Sequence, residues 1–119
     1  MRRDVHFYFQ QALHRKSQAD CPSMRFLSDD DTQAAFLVRM APGQVDTIAD
    51  VEYRCSTCIT LVAICEHIAE EWRGTTVWRA KSLTAQDILR QHPEVPPSRH
   101  SRAYLAMAAA QAALENSSL

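Results

Sequence analysis

The chain has 119 residues, 46% of them hydrophobic and 23% charged, and 13 basic against 14 acidic side chains leave a formal net charge of −1. That length holds one domain, residues 1–119, with a single core, and the composition argues against disorder over most of it. The near-neutral balance without a basic stripe sets nucleic acid aside as a partner, and the longest apolar run, residues 59–65, is broken by Thr60 and too short to span a membrane.

The opening MRRDVHFYFQQ carries two arginines, but Asp4, His6 and Gln10 interrupt any apolar signal core. Four cysteines in such a chain read as reduced thiols of a cytoplasmic protein. Only Gly43 and Gly74 are present, so a glycine-rich phosphate cradle is excluded. Neither Gly-x-Ser-x-Gly nor His-Glu-x-x-His occurs, and the expectation is a protein that is not an enzyme.

Residues 5–14 place Phe9, Ala12 and Leu13 at helical spacing, and the glutamines beside them favour a helix. Residues 17–23, with Pro22, read as a connector. Residues 24–27 predict a short strand, broken by the acidic run Ser28-Asp29-Asp30-Asp31. Residues 35–40 are β-prone, and Pro42-Gly43 signals a turn. Residues 45–54 alternate through Val45, Thr47, Ala49, Val51 and Tyr53, the period of a half-buried strand. The three segments together predict an antiparallel meander.

After Cys58 the period changes. Leu61, Ile64, Cys65, Ile68 and Trp72 fall on one helical stripe, and Gly74 stops it. Thr84 and Asp87 form a capping-box start to a short helix, which Pro93, Pro96 and Pro97 forbid from continuing. Ser98 then caps an alanine-rich last helix, whose run from 106 to 113 reads as close helix packing. Strands first and helices afterwards predict an α+β fold, a small antiparallel three-stranded sheet covered on one face by helices.

Cys65 lies on the apolar stripe and reads as a core thiol. His67 lies nine residues from Cys58, on the opposite side of the helix, and between Glu66 and Glu70 it reads as solvated. Cys55 and Cys58 sit where a strand hands over to a helix. There the free amides and dipole of the first turn favour a thiolate, the form that binds metal or attacks sulfur. Two further readings of Cys55-x-x-Cys58 stand beside a metal site: two thiols at a loop edge with no ligand, or a thiol or sulfur-transfer pair of the kind found after a strand at a helix start.

The order of elements resembles the iron–sulfur cluster assembly scaffolds IscU and the N-terminal domain of NifU. It is carried by Cys58 opening a helix, then Glu71-Trp72-Arg73-Gly74-Thr75-Thr76-Val77, Thr84-Ala85-Gln86-Asp87-Ile88, Pro96-Pro97 and a last helix with Leu105-Ala106. From Cys58 to Leu105 the spacing lines up without a gap. The resemblance implies a protein that receives sulfide from a cysteine desulfurase and iron from a donor, builds a [2Fe–2S] cluster, and passes it on. In that family three cysteines and an aspartate or histidine hold the metal, and zinc takes the same place.

Against that pattern, Cys58 matches the middle cysteine, but the first falls at Asp30 and its companion aspartate at Thr32. The terminal His-Cys pair falls at Ser101-Arg102, with His100 one residue early. Two of three thiolates are missing, and a guanidinium, which repels metal, stands where one was needed; Arg102 is expected to pair with Asp30 or with a bound anion. Ligand loss with the fold retained is one expectation. The other is a rebuilt site of Cys58, Cys55, Asp30 and His100, whose two sulfurs, oxygen and nitrogen suit zinc better than iron. Function is then expected to be that of an assembly protein binding metal, sulfide or partners such as a desulfurase, or of an interaction module that keeps the scaffold fold without metal.

Overall fold

The structure, a computed structural model, describes residues 3–19 and 24–117. Most of the predicted connector, residues 20–23 with Cys21 and Pro22, lies outside the described residues, as do residues 118 and 119 of the tail. Helix α1 (Val5–Arg15) begins where the Asp4 carboxylate accepts the Phe7 N–H at 2.8 Å, and ends at Lys16 in the left-handed region, φ 49°. Tyr8 and Ala12 are its buried residues.

Strands β1 (Leu27–Asp29), β2 (Thr32–Met40) and β3 (Ile48–Cys55) form one antiparallel sheet in the order β1-β2-β3. Strand β1 starts three residues later than the sequence pattern suggests, and its acidic residues close the hairpin instead of breaking the strand. Asp29 pairs with Thr32, and Asp30 takes the turn at φ 52°, a conformation that aspartate tolerates better than most residues. Residues 45–47 belong to the second hairpin's turn, where Gly43 supplies φ 76°. A bulge pairs Arg39 with Asp50 but Met40 with Ile48, so Ala49 has no partner and the alternation resets there. Ile48, Val51, Tyr53 and Cys55 therefore face the core, while Val45 and Ala49 do not.

Helix α2 (Ile59–Trp72) lies on β3 and contributes Leu61, Ile64, Cys65, Ile68 and Trp72 to the core, as its stripe predicts. Past its end Gly74, at φ 80°, turns the chain back along the start of β3. There its N–H donates to the Ile48 carbonyl, and the Ile48 N–H to Thr75, each at 2.8 Å. Helix α3 (Val77–Ser82), which the sequence pattern did not reveal, follows on a Thr76 cap. Helix α4 (Ala85–Gln91) has the expected capping box between Thr84 and Asp87. A 3-10 turn at Pro97–Arg99 precedes helix α5 (His100–Ser117), which thus starts two residues beyond the predicted Ser98 cap. Alanines 106, 109 and 110 are buried and let α5 lie close on β2 and α2, while α1 packs on the far side of α2. This is the α+β arrangement that the order of segments predicts, a three-stranded antiparallel sheet with helices packed on it.

Candidate functional site

The sheet and α2 meet at Cys58, and three chain segments converge there. Cys58 is the N-cap residue of α2 in extended conformation, half-buried, with its carbonyl accepting the Val62 N–H at 2.9 Å. Its side chain makes no capping hydrogen bond, which leaves the sulfur for other neighbours. The first turn of α5 brings Arg102 against it. The guanidinium faces the Cys58 sulfur, and the attraction between them is the main reason Arg102 is held above its ordinary pKa, against the opposing effect of burial. The charges of Asp31 and Asp29 act in the same direction.

Arg102 is 8% exposed. Its Nη2 lies 3.9 Å from the Asp31 carboxylate and its Nη1 donates to Ser101 Oγ at 3.4 Å, while its buried Nε has no acceptor among the described residues. The expected partner Asp30 is not the one chosen. Asp30 occupies the exposed left-handed turn position, so the carboxylate nearest Arg102 is the next one, Asp31. Thr32, at the position of the family's aspartate, is buried and donates its hydroxyl to the Asp29 carbonyl at 2.9 Å, which tightens the turn.

The four residues named as a rebuilt metal site are placed apart in character. Cys55, the last residue of β3, is buried and turns inward. Its sulfur shares a hydrogen bond with Cys65 and accepts from Gln18 Nε2 at 3.6 Å, while its N–H donates to Gln18 Oε1 at 2.9 Å. The bond from Cys65 lowers the Cys55 pKa, with Gln18 adding to it against burial; burial raises that of Cys65. His100 opens α5 with its Nε2 3.3 Å from the Val95 carbonyl, to which it donates. Among the described residues, no three histidine, cysteine, aspartate or glutamate side chains gather as metal ligands need to. Cys55 and Cys58, three residues apart, thus serve different surroundings, one in the core and one beside a cation.

An iron–sulfur cluster needs soft anionic donors on several sides. Here one thiol faces a guanidinium that itself still has an N–H to satisfy, so the residues present do not fit a cluster held in this pocket. What fits is an anion. The Arg102–Cys58 contact is half visible in sequence, because an arginine stands at the place of a cysteine; the direct thiol contact is settled by the packing of α5 on α2.

A second polar cluster lies on the opposite face of α2, and here the sequence reading is corrected. His67 is buried rather than solvated, 2.7 Å from His92, and Glu66 is fully buried. Glu66 accepts from the Tyr53 hydroxyl at 2.8 Å and from Gln11 Nε2 at 2.9 Å. The sequence gives no local signal for this, because α1 and the segment after α4, which cover that face, come from distant parts of the chain.

No helix among the described residues is long and apolar enough to cross a membrane. Among curated proteins, none matches the chain. The family profile described as the NifU-like N terminal domain matches residues 36–118, from within β2 to the end of α5, with Cys58 and Arg102 both inside the matched span. With that match, that sheet and that cysteine at the mouth of α2, the chain belongs to the NifU-like N-terminal domain family, whose work is iron–sulfur cluster assembly.

Proposed function

We propose that this protein serves iron–sulfur assembly as a sulfur-handling accessory and does not hold a cluster itself: Cys58 takes up sulfane sulfur from a donor persulfide, and Arg102 stabilises the anion. The observation that carries this reading is the buried guanidinium, with one N–H unsatisfied, against the one half-exposed thiol of the site. A fixed cation favours anionic sulfur and disfavours a metal ion in the same few ångströms. Transfer is balanced without an outside oxidant or reductant. The Cys58 thiolate attacks the terminal sulfur of a donor persulfide, the donor S–S bond breaks, an S–S bond to Cys58 forms, and the donor thiolate leaves. A cysteine desulfurase is the donor that the family context supplies.

The test is anaerobic incubation with a desulfurase and cysteine, with and without ferrous iron, followed by intact mass analysis and a visible spectrum. Wild-type protein is expected to gain one sulfur on Cys58 and to develop no cluster absorbance, whereas Arg102→Cys binds more iron or zinc than wild type. A cluster on the wild-type chain at one per protomer, or failure of Cys58 to gain sulfur, overturns the proposal.

A further inference from the structure

The proposed function leaves unused the buried titratable groups between α1, α2 and the segment after α4. His67 and His92 are 4% and 1% exposed, and their rings stand perpendicular, at 88°, with His67 Nδ1 2.7 Å from His92 Nε2. Tyr8 stacks flat on His67, centroids 4.5 Å apart, and meets His92 edge-on at 5.8 Å. Each outward nitrogen faces a carboxylate: His67 Nε2 lies 3.2 Å from Glu71, and His92 Nδ1 lies 3.4 Å from Glu94.

Counting protons over these four nitrogens gives one best answer. A 2.7 Å approach of two ring nitrogens needs one proton between them, since two lone pairs or two N–H groups would repel. Each ionised carboxylate only accepts, so each outward nitrogen is best protonated. Three protons on four nitrogens satisfy all three contacts, which is one imidazole and one imidazolium. A neutral pair has only two protons and leaves one contact empty, while a doubly charged pair sets two N–H groups head to head.

We propose that His67 and His92 share a single positive charge and act as a one-proton clasp, which ties α1 and the segment after α4 to α2 and releases when a second proton enters. The groups facing the pair agree. From the α1 side these are Tyr8 and Arg3, with Arg3 paired to Glu70 at 2.6 Å; from α2, Glu70 and Glu71; from α4, Asp87; and from the following segment, Glu94. Burial first, then the charges of His92 and Arg3, pull the His67 pKa down to about 4, so the second proton is resisted. Glu71 is held above the usual carboxylate range by burial, then by Glu70 and Asp87. A cavity of about 480 Å³ lined by Arg3, Tyr8, His67, Glu70, Glu71 and Gln91 gives the proton its way in.

The clasp has reach. Glu94 also accepts the Val5 N–H at 2.7 Å, and the His92 N–H closes α4 on the carbonyls of Ile88 and Leu89. The His92 carbonyl accepts the Val95 N–H at 3.0 Å, and Pro96 and Pro97 follow into α5 and Arg102. Release therefore loosens the start of α1, the end of α4 and the approach to the Cys58 site together. An opened His67 takes its proton near the ordinary histidine value of about 6.5. The opening equilibrium then rises about tenfold per pH unit as pH falls from about 6.5 to about 4. It rises again above about 6.5, where the open rings are neutral and opening releases the clasp's one proton.

The experiment is a pH titration of the ring nitrogens by nitrogen-15 NMR on the full chain, with amide exchange of residues 5–8 and of His92, Glu94 and Val95 measured in parallel. One ring doubly protonated and the other a neutral Nε2–H tautomer at pH 7, with tenfold-per-unit opening below about 6.5, is the expected result. In His67→Gln that slope disappears; Glu94→Gln keeps both rings and covers the case in which the first variant does not fold, and there the shared charge is lost at lower pH than in wild type. Two neutral rings at pH 7, independent titration of both near 6.5, or an unchanged slope in His67→Gln overturns the clasp.

Discussion

A buried guanidinium must find acceptors or leave donors unsatisfied, and Arg102 does some of each. Its partner Asp31 is largely exposed and 3.9 Å away, a weak attachment of the kind that contributes little at a surface. Its other neighbour is a thiol, which accepts hydrogen bonds poorly until it ionises, so the site retains unmet polarity. Glu66 is the contrasting residue: a buried carboxylate whose bonds to Tyr53 and Gln11 supply what water would, with Arg15 3.8 Å away. Burial of Tyr53 and the neighbouring Glu66 charge keep the phenol protonated and donating. Tyr53→Phe is expected to remove one acceptor's partner without changing shape, and to cost about 1–3 kcal/mol in urea unfolding. A loss below about 0.5 kcal/mol would mean that water or Arg15 takes over.

At the scale of elements, local chemistry decides most boundaries. The α4 capping box satisfies two otherwise orphaned groups with Thr84 and Asp87, whose mutual bonds also hold the Asp87 carboxyl below its ordinary value. Thr84→Ala is expected to cost about 1 kcal/mol, read as a lowered urea midpoint with an unchanged slope. That cap, the α2 stripe and the Pro42-Gly43 turn were legible because each is specified by residues within a few positions of one another. Strand β3 was legible as a strand but not in its phase, because the bulge at Ala49 depends on how β2 pairs with it. Helix α3 is only six residues long and carries no periodic stripe, so nothing local announced it. The His67–His92 contact joins residues 25 apart and was invisible for the same reason that α2 looked one-sided: its second buried face is made by α1. For the site, the position of Cys58 at the helix mouth followed from sequence. The inward turn of Cys55 did not, since strand ends give no sign of which face they keep.

For the molecule as a whole, the thin layer between α5 and the sheet sets the tolerance to change. Ala106, Ala109 and Ala110 are buried in it, where a longer side chain has no room and α5 would have to shift with Arg102 on it. Ala110→Leu is expected to cost about 1–3 kcal/mol by overpacking. The same displacement would weaken the Arg102–Cys58 contact, so alkylation of Cys58 should change alongside stability; a stability loss with unaltered Cys58 reactivity would show that the two ends of α5 move independently.

The strip that runs back along β3 after Gly74 carries a further meaning. With Gln18 and Ala19 bonded to the other end of the same strand, through Ala19 N–H to the Tyr53 carbonyl at 2.8 Å, little of the β3 backbone is left bare. On the opposite side β1 is three residues long and pairs only with Thr32, Gln33 and Ala34, so residues 35–40 of β2 have no strand beside them there among the described residues. The Ser117 hydroxyl donates to the Val38 carbonyl on that stretch at 2.8 Å. In a crowded solution a stray chain therefore finds little template along β3, and the stretch of β2 beyond β1, crossed by the end of α5, is where edge-to-edge addition would have to begin.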